Sequence, residues 1–264
     1  DIFDLWIDNA ADLGYIDDES LPHRAVSWLE RVSFACTDSI TVITETMGEY
    51  YESKYPRLSF DMHVIPFGVD TELFTPDVEA ANSTEIIYTG NLGTGQAFVP
   101  FLRGFADVDG NPELLLVGGG ERRTELEELT TELGIEDRVT FAGYVDREEI
   151  PALLAGADVS LVPLKTEYQL DYARPTKLLE TMAVGTPYVA SAVEEIDSLS
   201  DQWGAGYAVE NEPEEVEAAL QSILSDGTRS NLMADRGIEL INQEHHWGAI
   251  GEAASRSIPE VNAK

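Results

Sequence analysis

Asp171-Tyr-Ala-Arg-Pro175-Thr-Lys-Leu-Leu-Glu180-Thr-Met-Ala-Val-Gly185-Thr-Pro187-Tyr-Val-Ala-Ser191 reads as a loop, a short helix and a strand in direct succession. Pro175 suits a first helical turn, where its missing N–H would have had no partner. Residues 176–183 are mostly helix formers, Gly185 provides a C-terminal stop, and Pro187 blocks continuation before the apolar run Tyr188-Val-Ala190. The pattern predicts a helix over 175–184 and a strand over 187–190. Lys177 and Glu180, three residues apart, share a face of that helix. A helix N-terminus already favours anions through its unpaired N–H groups and partial positive charge, so a lysine in the first turn suits phosphate. Glu180, one turn further, can accept hydrogen bonds from a ribose or sugar diol. The plainer alternative is a surface i,i+3 ion pair of small energetic weight.

The same alternation extends outward. Strands are expected at 85–89, 113–117, 138–141 and 158–162, with helices at 97–107, 121–133 and 147–155 between them. Strands alternating with helices of this length indicate a doubly wound parallel sheet. Helices near 213–225 and 228–242 follow, then a terminal helix from about His246. Earlier in the chain, Leu21, Val26, Leu29, Val32 and Phe34 lie near helical spacing over 21–34. A buried strand at 39–43, a helix at 45–55 and a strand at 62–65 complete half of a second α/β layer. The polar stretch 71–84, which contains Pro76, suits a linker. The expected division is a first lobe over 1–70, a linker over 71–84, a second lobe over 85–242 and a terminal segment over 243–264.

In a doubly wound sheet, ligands bind where loops leave the carboxyl ends of the strands. Gly90, Gly93 and Gly95 follow the first strand of the second lobe, where bare backbone N–H groups can approach a diphosphate; glycines after a strand are also ordinary turn residues. Gly118-Gly119-Gly120 follows the next strand and can line a nucleotide or make a tight turn.

Charge bounds the partners. Lys and Arg number 16 against 50 Asp and Glu, a formal net charge of −34, and lysine occurs only at 54, 165, 177 and 264. The acids are spread along the chain, which argues against a disordered or charged-tail module. Dense carboxylates with few lysines fit a salt-rich cytoplasm, as in halophiles, where screening shortens the repulsion; a basic partner is the functional alternative. Nucleic acid is not an expected partner, because phosphate-backbone binding needs clustered Lys and Arg. Cys36 is the lone cysteine, so no intramolecular disulfide forms, and it reads as a small core residue. With no long apolar run, the chain is expected to be soluble or peripheral. Asn82-Ser-Thr84 matches a glycosylation sequon but reads as polar linker. His245-His246 lacks companions at metal-ligand spacing. Tyr168, Tyr172 and Trp203 suit either a sugar pocket or core packing.

Pro175-Thr-Lys-Leu-Leu-Glu-Thr-Met-Ala-Val-Gly-Thr-Pro187 resembles the donor-site signature of the retaining glycosyltransferases of family 4, the group 1 family with the glycosyltransferase-B fold. Ile86-Ile-Tyr-Thr-Gly-Asn-Leu-Gly-Thr-Gly-Gln96 resembles that family's strand and glycine-rich loop at the start of the donor domain. Further similarity covers Leu114-Leu-Leu-Val-Gly-Gly-Gly-Glu121, Val139-Thr-Phe-Ala-Gly-Tyr-Val145, Ala157-Asp-Val-Ser-Leu-Val-Pro163 and Pro66-Phe-Gly-Val-Asp-Thr-Glu-Leu-Phe74. Two departures stand out. Many members carry Arg and Lys where this chain has Asn91 and Gln96, which leaves Lys177 as the main cationic candidate. Many also carry a Glu eight positions before the motif Glu, where this chain has Tyr172 with Asp171 beside it, so that role is not transferred.

The resemblance implies two Rossmann-like doubly wound lobes, the first incomplete: Asp1-Ile-Phe-Asp-Leu-Trp looks like the middle of the family's first lobe, with the acceptor pocket and catalytic His region expected before it. It makes 243–264 the crossover helix. It implies transfer of a sugar, with retention, from a nucleotide-diphosphate sugar to a glycan or lipid-linked acceptor, with no cofactor and no metal. Asp107-Val-Asp109 imitates the acidic metal pair of another glycosyltransferase fold but reads as a solvated turn. Lys177 and Glu180 become the catalytic candidates, and Gly90, Asn91, Gly93, Gln96, Gly118, Gly119, Gly143, Pro175 and Thr176 the donor-binding ones. The expected location is the cytoplasm, with peripheral contact at the inner membrane face as an option, and oligomeric state is open. The alternatives are a non-catalytic nucleotide-sugar-binding subunit that needs a partner to complete the first lobe, and a nucleotide-sugar epimerase.

Overall fold

Pro175 holds extended backbone (φ −61°, ψ 141°) as the N-cap, one place earlier than a first-turn proline, and the helix runs Thr176–Ala183. Its end closes in a Schellman turn: Gly185 N–H donates to Met182 O and Thr186 N–H to Thr181 O, both at 3.1 Å, with Gly185 at φ +81°. A side chain at Gly185 would place Cβ 2.9 Å from Ile238 Cδ1, so the turn is specified by conformation and by space.

A computed structural model describes residues 1–12, 14–81, 83–166 and 171–257. The first lobe contains α1 (Trp6–Asp12), α2 (Leu21–Ala35), β1 (Ser39–Val42), α3 (Glu45–Lys54) and β2 (Asp61–Val64). The second begins with β3 (Thr84–Thr89), α4 (Phe98–Asp107), β4 (Leu114–Val117), α5 (Arg123–Leu133), β5 (Val139–Gly143), α6 (Ile150–Ala155) and β6 (Ala157–Val162). It continues with α7 (Thr176–Ala183), β7 (Tyr188–Ser191), α8 (Glu194–Trp203), β8 (Gly206–Val209), α9 (Pro213–Leu224) and α10 (Gly227–Leu240). A π-helical turn, Ile241–His245, then leads to α11 (Trp247–Ser257).

The second lobe is the expected doubly wound sheet. Its six parallel strands lie in the order β5-β4-β3-β6-β7-β8, so the order reverses between β3 and β6. Both faces are covered, which is why β7 is buried along its whole length. One face packs Phe98, Phe101 and Phe105 of α4 against Leu126 of α5 and Val216 and Leu220 of α9. The other packs Leu154 of α6, Leu178 and Met182 of α7, and Ile196 and Leu199 of α8. The pair α8 and β8 was not expected from the sequence. The helix is acidic, with Ile196, Leu199 and Trp203 as its apolar positions, and the four-residue strand starts at a glycine.

The first lobe is a two-stranded parallel sheet, β1-β2, with Ile2 bridged beside Val42. Its core gathers Leu5, Phe34, Ile40, Met47, Tyr51 and, from the other lobe, Tyr172. The helix expected over 21–34 forms as α2, but Leu21 is 79% and Leu29 55% exposed, so most of its apolar spacing faces outward and only Phe34 enters the core. One sequence expectation fails here. Cys36 is exposed, because it caps the C-terminus of α2 and has left the buried side.

Residues 71–83 carry turns and no helix or strand among those described, yet Phe74 is buried in the core of the second lobe. The segment around His245 and Trp247 returns to the first lobe. Val69 N–H donates to His245 O (2.7 Å), and Gly68 leaves room for the Trp247 ring, which a Cβ there would approach to 2.8 Å. Among the described residues no helix is long and apolar enough to cross a membrane.

Candidate functional site

The loops that leave β3, β4 and β5 lie side by side at the carboxyl edge of the sheet. Gly90 N–H donates to Val117 O (2.9 Å), Leu92 N–H to Gly119 O (2.9 Å) and Gly118 N–H to Gly143 O (2.7 Å). At Gly118, φ is +124° and a Cβ would lie 1.9 Å from Gly90 O. Only glycine permits that approach of backbone to backbone. Gly119 faces the Tyr144 ring at similarly close range, a Cβ falling 2.7 Å from Cε2. Gly118, Gly119 and Gly143 thus join the loops to one another, while Gly95 has open space around it.

Lys177, in the first turn of α7, reaches across to this edge. Its Nζ donates to Tyr88 Oη (2.9 Å) and Gln96 Oε1 (3.1 Å) and lies 4.4 Å from the Tyr88 ring centroid. Tyr88 Oη in turn donates to Asn91 O (2.7 Å). Gly90 makes the space: a Cβ there would fall 3.1 Å from Nζ. These partners are all neutral. Burial therefore pulls the Lys177 ammonium down to about 7, against a smaller opposing pull from Glu180.

Glu180 has a different partner from the one its spacing suggested. Arg147 Nη2 donates to Glu180 Oε1 at 3.0 Å, from a short 3-10 turn, Arg147–Glu149, beyond β5. Burial raises the Glu180 carboxyl, and Arg147 and Lys177 oppose that rise. Arg147 was missed in the sequence because nothing in local spacing links positions so far apart; its guanidinium lies 5.2 Å from the Phe74 ring centroid.

The loop from Asn91 to Gln96 is pinned from several sides. Thr94 N–H donates to Glu121 Oε1 (2.9 Å), Arg122 Nη1 to Gln96 O (3.0 Å), and Lys165 N–H to Gly95 O (3.1 Å). A Cβ at Gly93 would meet Asn91 Nδ2 at 2.6 Å, so the amide of Asn91 folds over that glycine. The N-cap residues of α4 and α7, Ala97 and Pro175, provide no side-chain cap, and these helix starts frame this region. Thr176 is exposed beside Lys177, and Pro175 turns the chain into α7.

Across from the loop stands the first lobe. A cleft of about 520 Å³ is lined by Asp4, Asn9 and Tyr15 on that side and by Asn91, Gly93–Gln96 and Glu121 on the other. Tyr15 Oη and Thr94 Oγ1 meet across it at 3.2 Å. Tyr172 does not line this cleft: it is buried at the junction, with Asn9 Nδ2 donating to its hydroxyl at 2.7 Å and the hydroxyl donating to Asp4. Trp203 packs against the core of the second lobe, and Tyr168 lies outside the described residues.

Arg174 ties the junction together. Its Nη2 donates to Glu195 Oε2 (2.7 Å), while Glu195 Oε1 accepts from Thr46 Oγ1 of the first lobe (2.7 Å). Its Nη1 lies 3.3 Å from His245 Nε2, and His245 Nδ1 lies 2.9 Å from Phe67 O. A guanidinium can only donate, so Nε2 accepts and Nδ1 carries the proton. Burial lowers the pKa of this imidazole, with the Phe67 carbonyl opposing and Arg174 adding to the fall. His245 is therefore a structural link, and among the described residues no group of three or more His, Cys, Asp or Glu could hold a metal ion.

A parallel sheet whose order reverses at β3, with glycine loops and a lysine-bearing helix start at its carboxyl edge, defines a Rossmann-like α/β lobe of the kind that binds nucleotides. The chain belongs to the glycosyl transferases group 1 family, whose model matches residues 83–226. It is 30% identical over 200 residues to the MMP alpha-(1->4)-mannosyltransferase of Mycolicibacterium hassiacum, covering 72% of this chain and 46% of that protein. It is 26% identical over 234 residues to the GDP-mannose-dependent alpha-(1-6)-phosphatidylinositol monomannoside mannosyltransferase of Mycobacterium tuberculosis, covering 81% and 60%. The chain thus spans roughly half the length of these relatives. Among solved structures, sucrose-phosphate synthase from Thermosynechococcus elongatus superposes with a TM-score of 0.75 at 24% identity, covering 92% of this chain and 64% of that one. HepE from Anabaena, in complex with UDP, gives 0.70 at 18% identity, covering 82% and 62%. These two likenesses show the glycosyltransferase-type fold.

Proposed function

We propose that this chain carries the donor site of a retaining family 4 glycosyltransferase, which moves a hexose or related sugar from a nucleotide-diphosphate sugar to a glycan or lipid-linked acceptor. The observation that carries the reading is Lys177. An ammonium is held by neutral partners where a glycine-rich loop and two uncapped helix starts converge, so its charge is available to an anion. In this reading Lys177 stabilises the charge that grows on the departing diphosphate, and Gly90, Asn91, Gly93 and Gln96 offer it loop N–H groups and amides. Glu180, oriented by Arg147, holds the ribose or sugar diol; Gly118, Gly119 and Gly143 border the nucleotide, with Pro175 and Thr176 at the start of α7. A preorganised charge of this kind contributes on the order of 3 kcal/mol to the transition state. No metal is invoked, and retention is taken from the family resemblance.

The relatives' printed names support a sugar-nucleotide donor: one depends on GDP-mannose, and HepE was crystallised with UDP. The functional division follows the sequence boundaries, with 1–70 on the acceptor side, 71–84 connecting, 85–242 binding donor and 243–264 crossing back. The acidic composition supports a salt-rich cytoplasm, with the inner membrane face as the place of work if the acceptor is lipid-linked.

The test is calorimetric titration of GDP-mannose and UDP-glucose in concentrated potassium chloride, comparing the chain with Lys177→Ala and Glu180→Ala. Each substitution is expected to weaken the preferred donor by about 1 to 3 kcal/mol, the range for hydrogen bonds to charged groups. Binding of neither compound, or of either one unaltered by Lys177→Ala, would overturn the reading.

A further inference from the structure

We propose that Asp4 is the carboxylate that recognises the hydroxyls of the donor's sugar, an assignment that rests on the donor-site reading above. Asp4 lies on the first lobe, is exposed, and lines the cleft opposite the Asn91–Gln96 loop. Its orientation is set from behind. Asn9 Nδ2 donates to Asp4 Oδ1 at 2.6 Å, and the Tyr172 hydroxyl donates to the same oxygen. The Asn9 amide also donates to Tyr172 Oη at 2.7 Å, closing a triangle of three side chains. Asn9 and Tyr172 are buried, so the two groups that aim the carboxylate are held in place by packing. Among the described residues no donor reaches Oδ2.

The two sides differ in chemistry. Lys177, which reaches the cleft through Gln96, and the helix starts of the second lobe suit an anion, while Glu121 on that wall is turned to the loop by accepting from Thr94 N–H. Asp4 repels an anion and, as an ionised acceptor, takes hydrogen bonds from hydroxyl groups. In a nucleotide-diphosphate sugar the diphosphate lies between nucleoside and sugar, so with the diphosphate toward Lys177 the sugar's hydroxyls can face Asp4. Tyr172 enters the chain just before Lys177 while Asp4 and Asn9 belong to the first lobe, so the carboxylate is aimed only when the lobes are docked. Burial, then Asp4 itself, raises the Tyr172 hydroxyl well above its ordinary range, so it remains a donor at working pH. Asp4 in this role is a specificity residue rather than part of the diphosphate site.

The experiment measures Kd for GDP and GDP-mannose, and for UDP and UDP-glucose, with the chain and with Asp4→Asn, Asp4→Ala and Tyr172→Phe. Asp4→Asn preserves size and is checked by thermal unfolding. The expected result is a loss of about tenfold to a hundredfold for the sugar nucleotide, the range for one hydrogen bond to a charged group, with the bare diphosphate changed less than about twofold. Tyr172→Phe keeps the carboxylate but releases it, so it is expected to show a smaller loss with the same selectivity; it carries the comparison if Asp4→Asn fails to fold. Equal weakening of both ligands, or an unchanged ratio between them, would overturn the assignment while leaving the donor site standing. A chain that binds neither the diphosphates nor their sugar derivatives would overturn both.

Discussion

Lys177 holds its ammonium among neutral partners. Burial there disfavours the charged form and pulls the group down to about 7 in the free chain. On the donor-site reading proposed above, an approaching diphosphate reverses that preference, and binding then draws in a proton whenever the free lysine has lost one. At about pH 8 uptake is expected to approach one proton per ligand, and below about pH 6 to vanish, since the free group is then already charged. Calorimetry in buffers of unlike ionisation enthalpy measures this directly. Lys177→Arg should abolish the uptake at every pH, because guanidinium stays protonated; uptake that persists in this variant would place the titrating group elsewhere. At this scale the sequence revealed the pair but not its company. Lys177 and Glu180 stand out by spacing, whereas Tyr88, Gln96 and Arg147 come from other strands and loops that only the folded sheet brings near. Asp4, Asn9 and Arg174 were likewise unremarkable in a chain with 50 acids and no local motif around them.

At the level of elements, α7 is defined by its ends. The Schellman turn needs Gly185 in the left-handed region, and the glycine also yields space to Ile238 of α10. Gly185→Ala meets both obstacles, backbone strain and a Cβ 2.9 Å from a side-chain methyl. A loss of about 1 to 2 kcal/mol is expected, read as a shift in denaturant midpoint with little change in slope; a neutral result would mean that α10 gives way freely. The Pro and Gly that make this reading sharp were visible in the sequence, as were the apolar strands on either side. The pair α8 and β8 was not, because an acidic helix and a four-residue strand beginning at Gly206 carry weak periodic signal. Tertiary contact fixes them instead: a Cβ at Gly206 would lie 2.4 Å from Tyr188 O, which is how closely the last strand lies on its neighbour. The exposed face of α2 shows the converse failure, since helical spacing of apolar residues says that a helix forms but not what covers it.

For the whole molecule, charge outweighs any single contact. A formal charge of −34 acts over a surface with only 16 basic residues, and the compact state gathers those acids closer than the unfolded chain does. Raising potassium chloride from about 0.1 M to about 1 M shortens the screening length from about 10 Å to about 3 Å. The melting temperature is therefore expected to rise across that range, in a thermal scan followed by circular dichroism. A flat or falling curve would show that local ion pairs, which salt weakens, matter more than the overall repulsion.

Tyr172, Arg174 and Lys177 lie within six residues of one strap of chain between the lobes. The first is anchored among the side chains of the smaller lobe, the second is tied through Glu195 and His245 to Thr46 and Phe67, and the third ends at the glycine loop. Such a strap works as a lever with two bearings. On the proposed donor-site reading, any tilt of one half of the molecule against the other would shift the ammonium, and a load on the ammonium would be felt at both bearings, so that grip on the ligand and the angle between the halves would become a single mechanical variable.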